Sequence, residues 1–493
     1  MILKQLLASV PVASSHGSLQ TEVTGIQYDS RRVTPGQVFV ALRGERTDGH
    51  QFVEQAIHQG AAAVVVEKQG FTSSRVTSVQ VTDTVEALAK LSAAFYEHPT
   101  QALKMIGVTG TNGKTTTTFM IKSLLENHDL PSGLIGTIRY ELGERQIPAD
   151  RTTPQSSDLQ QMFAQMRRCG CKAAVMEVSS HSLSQKRVAG IDFDVAVFTN
   201  LTQDHLDYHK TMDAYFEAKA ILFAGLGQGR KTEASAVINA DDSYAARFKK
   251  SVPAGIRTLT YGIESDADFK ASDLKLTLSG ADFALEAEGA KWPVHLPLCG
   301  RYNVSNALAA IAAARALGLP LKSLATCLKD VPQVPGRMEA VRAGQPFHVF
   351  VDYAHTDDAL RNVASTLKEI GEGRLLLVFG CGGNRDEGKR PKMGRVASEL
   401  ADYSIITSDN PRREDPAAIA RAIEQGFAES SKREVILDRQ KAIARALELA
   451  RPGDCVLIAG KGHETYQEFE DTRVPFDDRD CAAAILKRQT WKS

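Results

Sequence analysis

The chain has no charge of one sign to spare. It carries 59 Lys+Arg against 59 Asp+Glu in 493 residues, a formal net charge of zero. A protein devoted to neutralising nucleic-acid phosphates needs a basic excess, so no nucleic-acid partner is expected. Long apolar runs are missing as well. None approaches the roughly 18 residues a membrane-spanning helix needs, so no membrane insertion is expected. The start, Met1-Ile2-Leu3-Lys4-Gln5-Leu6-Leu7, is too short and too broken by Lys4 and Gln5 for a secretory signal. It reads as an amphipathic first helix. Among seven cysteines there is no CxxC pair, and Cys169-x-Cys171 lacks a second pair at zinc-site spacing. An odd number of scattered thiols fits free, buried cysteines in a reducing cytoplasm, the expected location. Internal repeats and low-complexity tracts are absent too. With 43% apolar and 24% charged residues, the composition excludes collagen-like, disordered and disulfide-scaffold classes.

What is present is length and a recurring pattern. At about 150 residues per domain the chain has room for about three domains. Polar Tyr96-Glu97-His98-Pro99-Thr100 and stiff Val331-Pro332-Gln333-Val334-Pro335-Gly336 suggest boundaries that divide it into 1–100, 101–334 and 335–493. In the first part, Val38–Leu42 and Ala62–Val66 read as buried strands around a helical pattern from Phe52 to Gln59. Beyond residue 100, apolar strands run into loops of Gly, Asn, Asp, Ser and Thr. Strands are expected at 105–108, 174–176, 195–198, 236–238, 349–351, 375–379, 404–407 and 455–458, and a helix from Asn303 to Ala316. Strands so uniformly apolar predict parallel sheets covered by helices on both faces, an α/β fold. Ligands bind beyond the carboxyl ends of such strands. The polar blocks lie there in both later parts, which predicts a site shared by two α/β domains.

The strongest motif is Gly110-Thr111-Asn112-Gly113-Lys114-Thr115-Thr116, between a strand and a helical pattern. Glycines let backbone N–H groups cradle phosphate oxygens at a helix N-terminus. Lys114 is placed to reach the terminal phosphates and Thr115 to ligate Mg²⁺. The one departure from the P-loop pattern is Val108 in place of its first glycine. Glu177 ends a strand and could hold Mg²⁺, or be a solvated or capping carboxylate. Asp204-His205-Leu206-Asp207-Tyr208-His209 could be a metal site or a polar helix start. Lys219, in an apolar helical stretch, reads as a lysine that snorkels to solvent. Arg385 and Arg412 lie on separate strand-end loops and Glu464 on a third. Two guanidinium forks and a carboxylate suit an amino-acid ligand with a free carboxylate.

Taken in order, these blocks resemble the Mur ligases, ATP-dependent amide-forming enzymes of peptidoglycan precursor synthesis. The resemblance rests on the Thr109–Thr116 loop, Glu177–His181, Asn200–His209, Asn303-Val304-Ser305-Asn306, Gly336-Arg337-Met338-Glu339 and Asp352-Tyr353-Ala354-His355, and covers essentially the whole chain. It implies three domains: an N-terminal α/β UDP-binding domain, a central P-loop ATPase-like domain and a C-terminal Rossmann-like domain. Asp409-Asn410-Pro411-Arg412 is similar to the family block for meso-diaminopimelate. That implies addition of this amino acid to the D-glutamate γ-carboxylate of UDP-N-acetylmuramoyl-L-alanyl-D-glutamate. L-Lysine as acceptor, or a folylpolyglutamate-synthetase-like ligase, are the alternatives.

The resemblance also implies roles. Gly110, Thr111, Asn112, Gly113, Lys114, Thr115 and Thr116 would hold ATP phosphates, with Asn306, Arg337 and Asp352 on adenine, phosphate and ribose. Thr115, Glu177 and His205 would hold Mg²⁺ together with Lys219 as a carbamate. Lys114, Glu177, His205 and Lys219 would then form the catalytic set. Ser30, Thr152, Thr153, Ser179, Gln185 and Arg187 would bind the UDP-sugar peptide, and Glu45-Arg46-Thr47 lies where uridine diphosphate is expected. Arg385, Asp409, Asn410, Pro411, Arg412, Gly460 and Glu464 would bind diaminopimelate. The expected partners are these small-molecule substrates, and the expected state is a monomer.

Overall fold

The structure, a computed structural model, describes residues 1–44 and 47–488. Glu45 and Arg46, two of the three residues expected at uridine diphosphate, lie outside the described residues. The chain forms two compact units. The first comprises Met1–Lys270, Ala287–Gly289 and Leu308–Leu324; the second comprises Ala271–Glu286, Ala290–Ala307 and the chain from Ala325.

The first unit begins with the short helix Leu3–Leu7, which buries Leu3, Leu6 and Leu7. A sheet follows in the order Val12–His16, Thr77–Val81, Ala63–Val66, Gln37–Val40, Gly25–Gln27. All its pairings are parallel except the edge pair of Val12–His16 with Thr77–Val81. Alternation along the strands builds two cores. Val38 and Val40 pack with Leu88 and Leu91 of the helix Thr84–Phe95, while Phe39 and Ala41 pack with Val53, Ala56 and Ile57 on the other face.

The larger sheet of this unit runs Arg257–Gly262, Ser235–Asn239, Val195–Phe198, Lys104–Thr109, Ala173–Glu177, Ser132–Ile135, Arg139–Leu142, Arg145–Pro148. The first six strands are parallel, as their apolar character predicts. The last two are antiparallel additions that apolar content did not signal. After Lys104–Thr109 the chain moves to one side of the sheet, and after Ala173–Glu177 to the other. The carboxyl end of Lys104–Thr109 is therefore a topological switch point, where open α/β sheets bind ligands.

The second unit contains the strands Gly280–Ala287 and Ala290–Leu296 and a sheet ordered Glu339–Ala340, His348–Asp352, Cys455–Ala459, Leu375–Phe379, Tyr403–Ile406, Arg433–Val435. Only the first pair is antiparallel. Leu375, Leu377 and Phe379 face a core with the helices Asp357–Ile370, Lys389–Leu400 and Pro416–Glu424; Leu376 and Val378 face one with Arg439–Leu449 and Asp478–Lys487. Helices thus cover both faces. Val331 and Val334 of the expected linker are buried rather than solvated. All seven cysteines are free, and four of them are buried. Among the described residues no helix is long and apolar enough to cross a membrane.

Candidate active site

The loop after Lys104–Thr109 is shaped by close approach. Gly110 has φ +152° and a Cβ there would run into the Thr199 hydroxyl, so no other residue fits. Asn200 seats the loop on the end of the neighbouring strand: Asn112 N–H donates to its Oδ1 at 2.9 Å, and its Nδ2 donates to the Asn112 carbonyl at 3.1 Å. Thr199 Oγ1 donates to that same carbonyl at 2.7 Å. The helix Lys114–Glu126 starts directly beyond, with Thr115 and Thr116 buried in its first turn. Its first N–H groups and positive dipole end are those that receive anions. Lys114 Nζ donates back to the carbonyls of Gly110 and Thr111, at 2.9 and 2.7 Å.

Glu177 is neither solvated nor a cap. It is 1% exposed. Its Oε1 accepts from Thr115 Oγ1 at 3.0 Å and from Thr137 N–H at 2.8 Å, while Oε2 accepts from Thr137 Oγ1 at 3.1 Å. A carboxylate on strand Ala173–Glu177 and a hydroxyl on the phosphate-loop helix thus share one buried place. Both are oxygen donors, the chemistry a hard cation such as Mg²⁺ prefers.

Lys219 contradicts the snorkelling expectation. On the helix Met212–Ala224 it is 1% exposed, with Nζ donating to the Gly110 carbonyl at 2.8 Å and lying 4.5 Å from the Tyr215 ring centroid. Lys219 lies on the buried side of this helix with Tyr215, Phe216, Leu222 and Phe223, while Glu217 and Ile221 are exposed, a distinction residue types alone do not carry. Burial, followed by the nearby Lys114 charge, pushes its ammonium well below the ordinary lysine range. One carbonyl therefore receives both lysines.

His205 occupies the N-cap position of the short helix Leu206–His209 in a left-handed conformation, φ +54°. Its ring lies 4.9 Å from that of His181 and 6.1 Å from that of Tyr215. Burial, opposed by Asp204, lowers its pKa. The block Asp204–His209 runs into this short helix, and among the described residues no three His, Cys, Asp or Glu side chains converge.

Five of the six residues expected at the UDP-sugar peptide adjoin Glu177. Thr152 Oγ1 meets Thr137 Oγ1 at 3.1 Å. Thr153 Oγ1 donates to the Glu177 carbonyl at 2.8 Å and accepts from Ser179 N–H at 3.2 Å. Arg187 donates to the Thr153 carbonyl at 3.1 Å and also bonds Gln185 Oε1. Ser179 caps the helix Ser180–Ser184. Ser30 is not brought to this cluster; its hydroxyl bonds Gln55 at 3.0 Å.

In the second unit, Asp352 ends the strand His348–Asp352, accepting from Met338 N–H at 2.7 Å and Ala354 N–H at 2.8 Å. Burial raises its pKa, opposed first by the Arg337 charge. Arg337 lies over the Tyr353 ring at 5.1 Å. Asn306 bonds Asn303 at 3.1 Å on the helix Arg301–Ala316. Asp409, Asn410, Arg412, Gly460 and Glu464 gather at neighbouring strand ends. Asn410 Nδ2 donates to Glu464 Oε2 at 2.8 Å, and a Cβ on Gly460 would press on the Asp409 carboxylate. Arg385 is exposed on the loop after Leu375–Phe379. The surprise is Lys461, fully buried, with Nζ donating to Asn410 Oδ1 at 3.0 Å and Glu464 Oε2 at 3.2 Å.

Family descriptions match in the same order as these elements: a Mur ligase family catalytic domain over residues 22–96, a Mur ligase middle domain over 108–314 and a Mur ligase glutamate ligase domain over 336–462. A UDP-N-acetylmuramoyl-L-alanyl-D-glutamate–2,6-diaminopimelate ligase of Bacillus velezensis is 47% identical over 467 residues, 94% of each chain. The ligase of the same name from Listeria monocytogenes is 45% identical over 491 residues, 99% of each chain. The chain belongs to the Mur ligase family. A solved structure bearing the same ligase name superposes with a TM-score of 0.73 at 36% identity, covering 99% of both chains. Reading this Mur ligase from its sequence missed Thr137, which gives Glu177 two of its three donors, and Lys461. For Thr137 no signal existed. For Lys461 there was one: a lysine between two glycines at a strand end.

Proposed function

We infer that this chain is an ATP-dependent amide ligase of peptidoglycan precursor synthesis. It joins meso-2,6-diaminopimelate to the D-glutamate γ-carboxylate of UDP-N-acetylmuramoyl-L-alanyl-D-glutamate. The observation that carries the reading is the continuous hydrogen-bonded path from the phosphate-loop helix, through Thr115, Glu177 and Thr137, to Thr152. It joins a phosphate-handling loop to a polar cradle suited to a carboxylate-bearing substrate. The near-full-length relatives of that name support the choice of substrates.

A carboxylate is a poor acyl donor because oxide is a bad leaving group. The γ-carboxylate oxygen attacks the ATP γ-phosphorus, the bond to ADP breaks, and an acyl phosphate forms. Lys114 leaves its loop carbonyls to offset charge on the transferring phosphoryl group. The acceptor amine then attacks the carbonyl carbon, phosphate departs and the amine loses a proton. Thr115 and Glu177 would hold Mg²⁺, with His205 and a carbamate on Lys219; bound there, the ion would neutralise phosphate oxygens. The buried Lys219 amine suits that modification, because as an ammonium it opposes Lys114 and as a carbamate it complements it. Thr152, Thr153, Ser179, Gln185 and Arg187 orient the peptide, with Ser30 serving its nucleotide end. Asn306, Arg337 and Asp352 serve the nucleoside of ATP. Asp409, Asn410, Gly460 and Glu464 receive an ammonium of the acceptor, and Arg385 and Arg412 a carboxylate. Lysine has no distal carboxylate for Arg412, so a site built around that fork discriminates against it.

The test is phosphate release from ATP in the presence of the UDP-dipeptide and one acceptor at a time. Diaminopimelate is expected to drive release and give a UDP-tripeptide. Release with L-lysine alone would overturn the acceptor, and release with neither would overturn the ligase reading. Lys114→Ala is expected to lower turnover by at least about 10²-fold while the fold persists; full turnover would refute its role.

A further inference from the structure

Arg412 sits in a backbone conformation a chain does not choose unaided. Its φ is +53°, the left-handed region that a non-glycine residue keeps only where its surroundings over-determine it. Those surroundings are the strand Tyr466–Phe469, which forms a hairpin with Thr472–Pro475. Arg412 N–H donates to the Glu468 carbonyl at 2.9 Å, and Glu470 N–H donates to the Arg412 carbonyl at 2.7 Å. The guanidinium is gripped by the same residue: Nε donates to Glu468 Oε2 at 2.8 Å, while Nη1 donates to the Gly383 carbonyl at 2.7 Å. That carbonyl comes so close because a Cβ on Gly383 would run into the Pro411 carbonyl. Glu468 N–H also donates to Asn410 Oδ1 at 3.0 Å, fixing the amide that faces Glu464. Nη2 makes no hydrogen bond among the described residues, and the side chain is 23% exposed. Nε and Nη1 are therefore held, and Nη2 is the nitrogen left open.

We propose that Glu468 is a positioning residue for acceptor selection, aiming the open Nη2 of the Arg412 guanidinium at the acceptor's distal carboxylate. The inference rests on the ligase reading above. As a partly exposed ion pair it would contribute little to stability. Its role is geometric: a guanidinium swings with its side chain unless it is held, and a directed charge-assisted hydrogen bond to a carboxylate needs it held. It acts only on acceptors that carry the distal carboxylate.

The experiment is a double-variant cycle on the full chain, measuring kcat/KM separately for meso-diaminopimelate and for L-lysine, and KM for ATP. Glu468→Ala is expected to cost on the order of 10- to 100-fold in kcat/KM for diaminopimelate. Lysine turnover and the KM for ATP stay unchanged. Glu468→Gln, whose amide oxygen still accepts from Nε, recovers most of the loss. In an Arg412→Ala background Glu468→Ala costs nothing further, because it acts through the missing side chain. Glu468→Met, which keeps the strand's side-chain bulk, repeats the cycle should the alanine variant unfold. Additive losses in the double variant, or losses shared equally by lysine and ATP, would overturn the proposal. A wild-type chain that does not turn over diaminopimelate would overturn the ligase reading and this proposal with it, so the wild-type control separates the two failures.

Discussion

Single side chains show the cost of burying charge. Lys219 and Lys461 are 1% and 0% exposed, yet they solve the problem differently. Lys461 has a carboxylate and an amide within hydrogen-bond reach, whereas Lys219, among the described residues, has a carbonyl and a ring face. His463 follows the same logic with a neutral ring. Burial, then the charges of Arg337 and Arg479, push its pKa down to about 4. A base whose folded pKa lies below its unfolded value stabilises the fold above that unfolded value, about 6.5, and loses the contribution as pH falls through the folded one. Stability is therefore expected to drop by about 3 kcal/mol between pH 6.5 and 4 on this account. In His463→Gln, urea titrations across that range should show a correspondingly flatter loss; an unchanged slope would remove His463 from the explanation. These residues also mark the limit of sequence reading. The shape of the Gly110–Lys114 loop was legible because glycine spacing encodes backbone conformation. Lys219 was legible only through resemblance, since burial depends on what packs against a helix, and Thr137 was not legible at all.

Among elements, strand-end geometry was the most readable property. Every strand expected beyond residue 100 is present within a residue or two, because parallel strands buried on both faces are written as uninterrupted apolar runs. The Arg139–Leu142 and Arg145–Pro148 pair and the Tyr466–Phe469 and Thr472–Pro475 hairpin went unread, because these antiparallel strands are short and carry mixed polar and apolar residues. One buried ion pair ties elements of the second unit together. Arg439, opening the helix Arg439–Leu449, and Asp478, opening Asp478–Lys487, are both 0% exposed and meet at 2.7 Å. Arg439 also donates to the Ser408 and Ala459 carbonyls, at 3.3 and 3.0 Å, clipping together the ends of two strands that carry acceptor loops. Removing one partner strands a buried charge. Asp478→Asn is expected to cost about 3–5 kcal/mol, roughly 10 °C in melting temperature for a unit of this size. The double change Arg439→Met with Asp478→Leu should restore much of it in calorimetry. A single variant that melts like wild type would show the pair to be dispensable.

At the scale of the whole molecule, the balance of 59 basic and 59 acidic residues leaves no net charge near neutrality. Molecules without net charge do not repel one another. Light scattering at low ionic strength is expected to be greatest near pH 7 and to fall one unit to either side; a monotonic trend would point to a surface patch instead. Division of labour is the other property at this scale. The glycine loop with Glu177 and Lys219 belongs to the first unit, while the clamp of Glu468 on Arg412 belongs wholly to the second. Because Glu468 stands on a peripheral hairpin rather than on the central sheet, the aim of Arg412, and with it the proposed acceptor preference, can drift by exchange of that hairpin. Lineages could thereby alter the cross-linking chemistry of their walls while inheriting the energy-coupling apparatus intact, and a transplanted hairpin is where an engineer would begin.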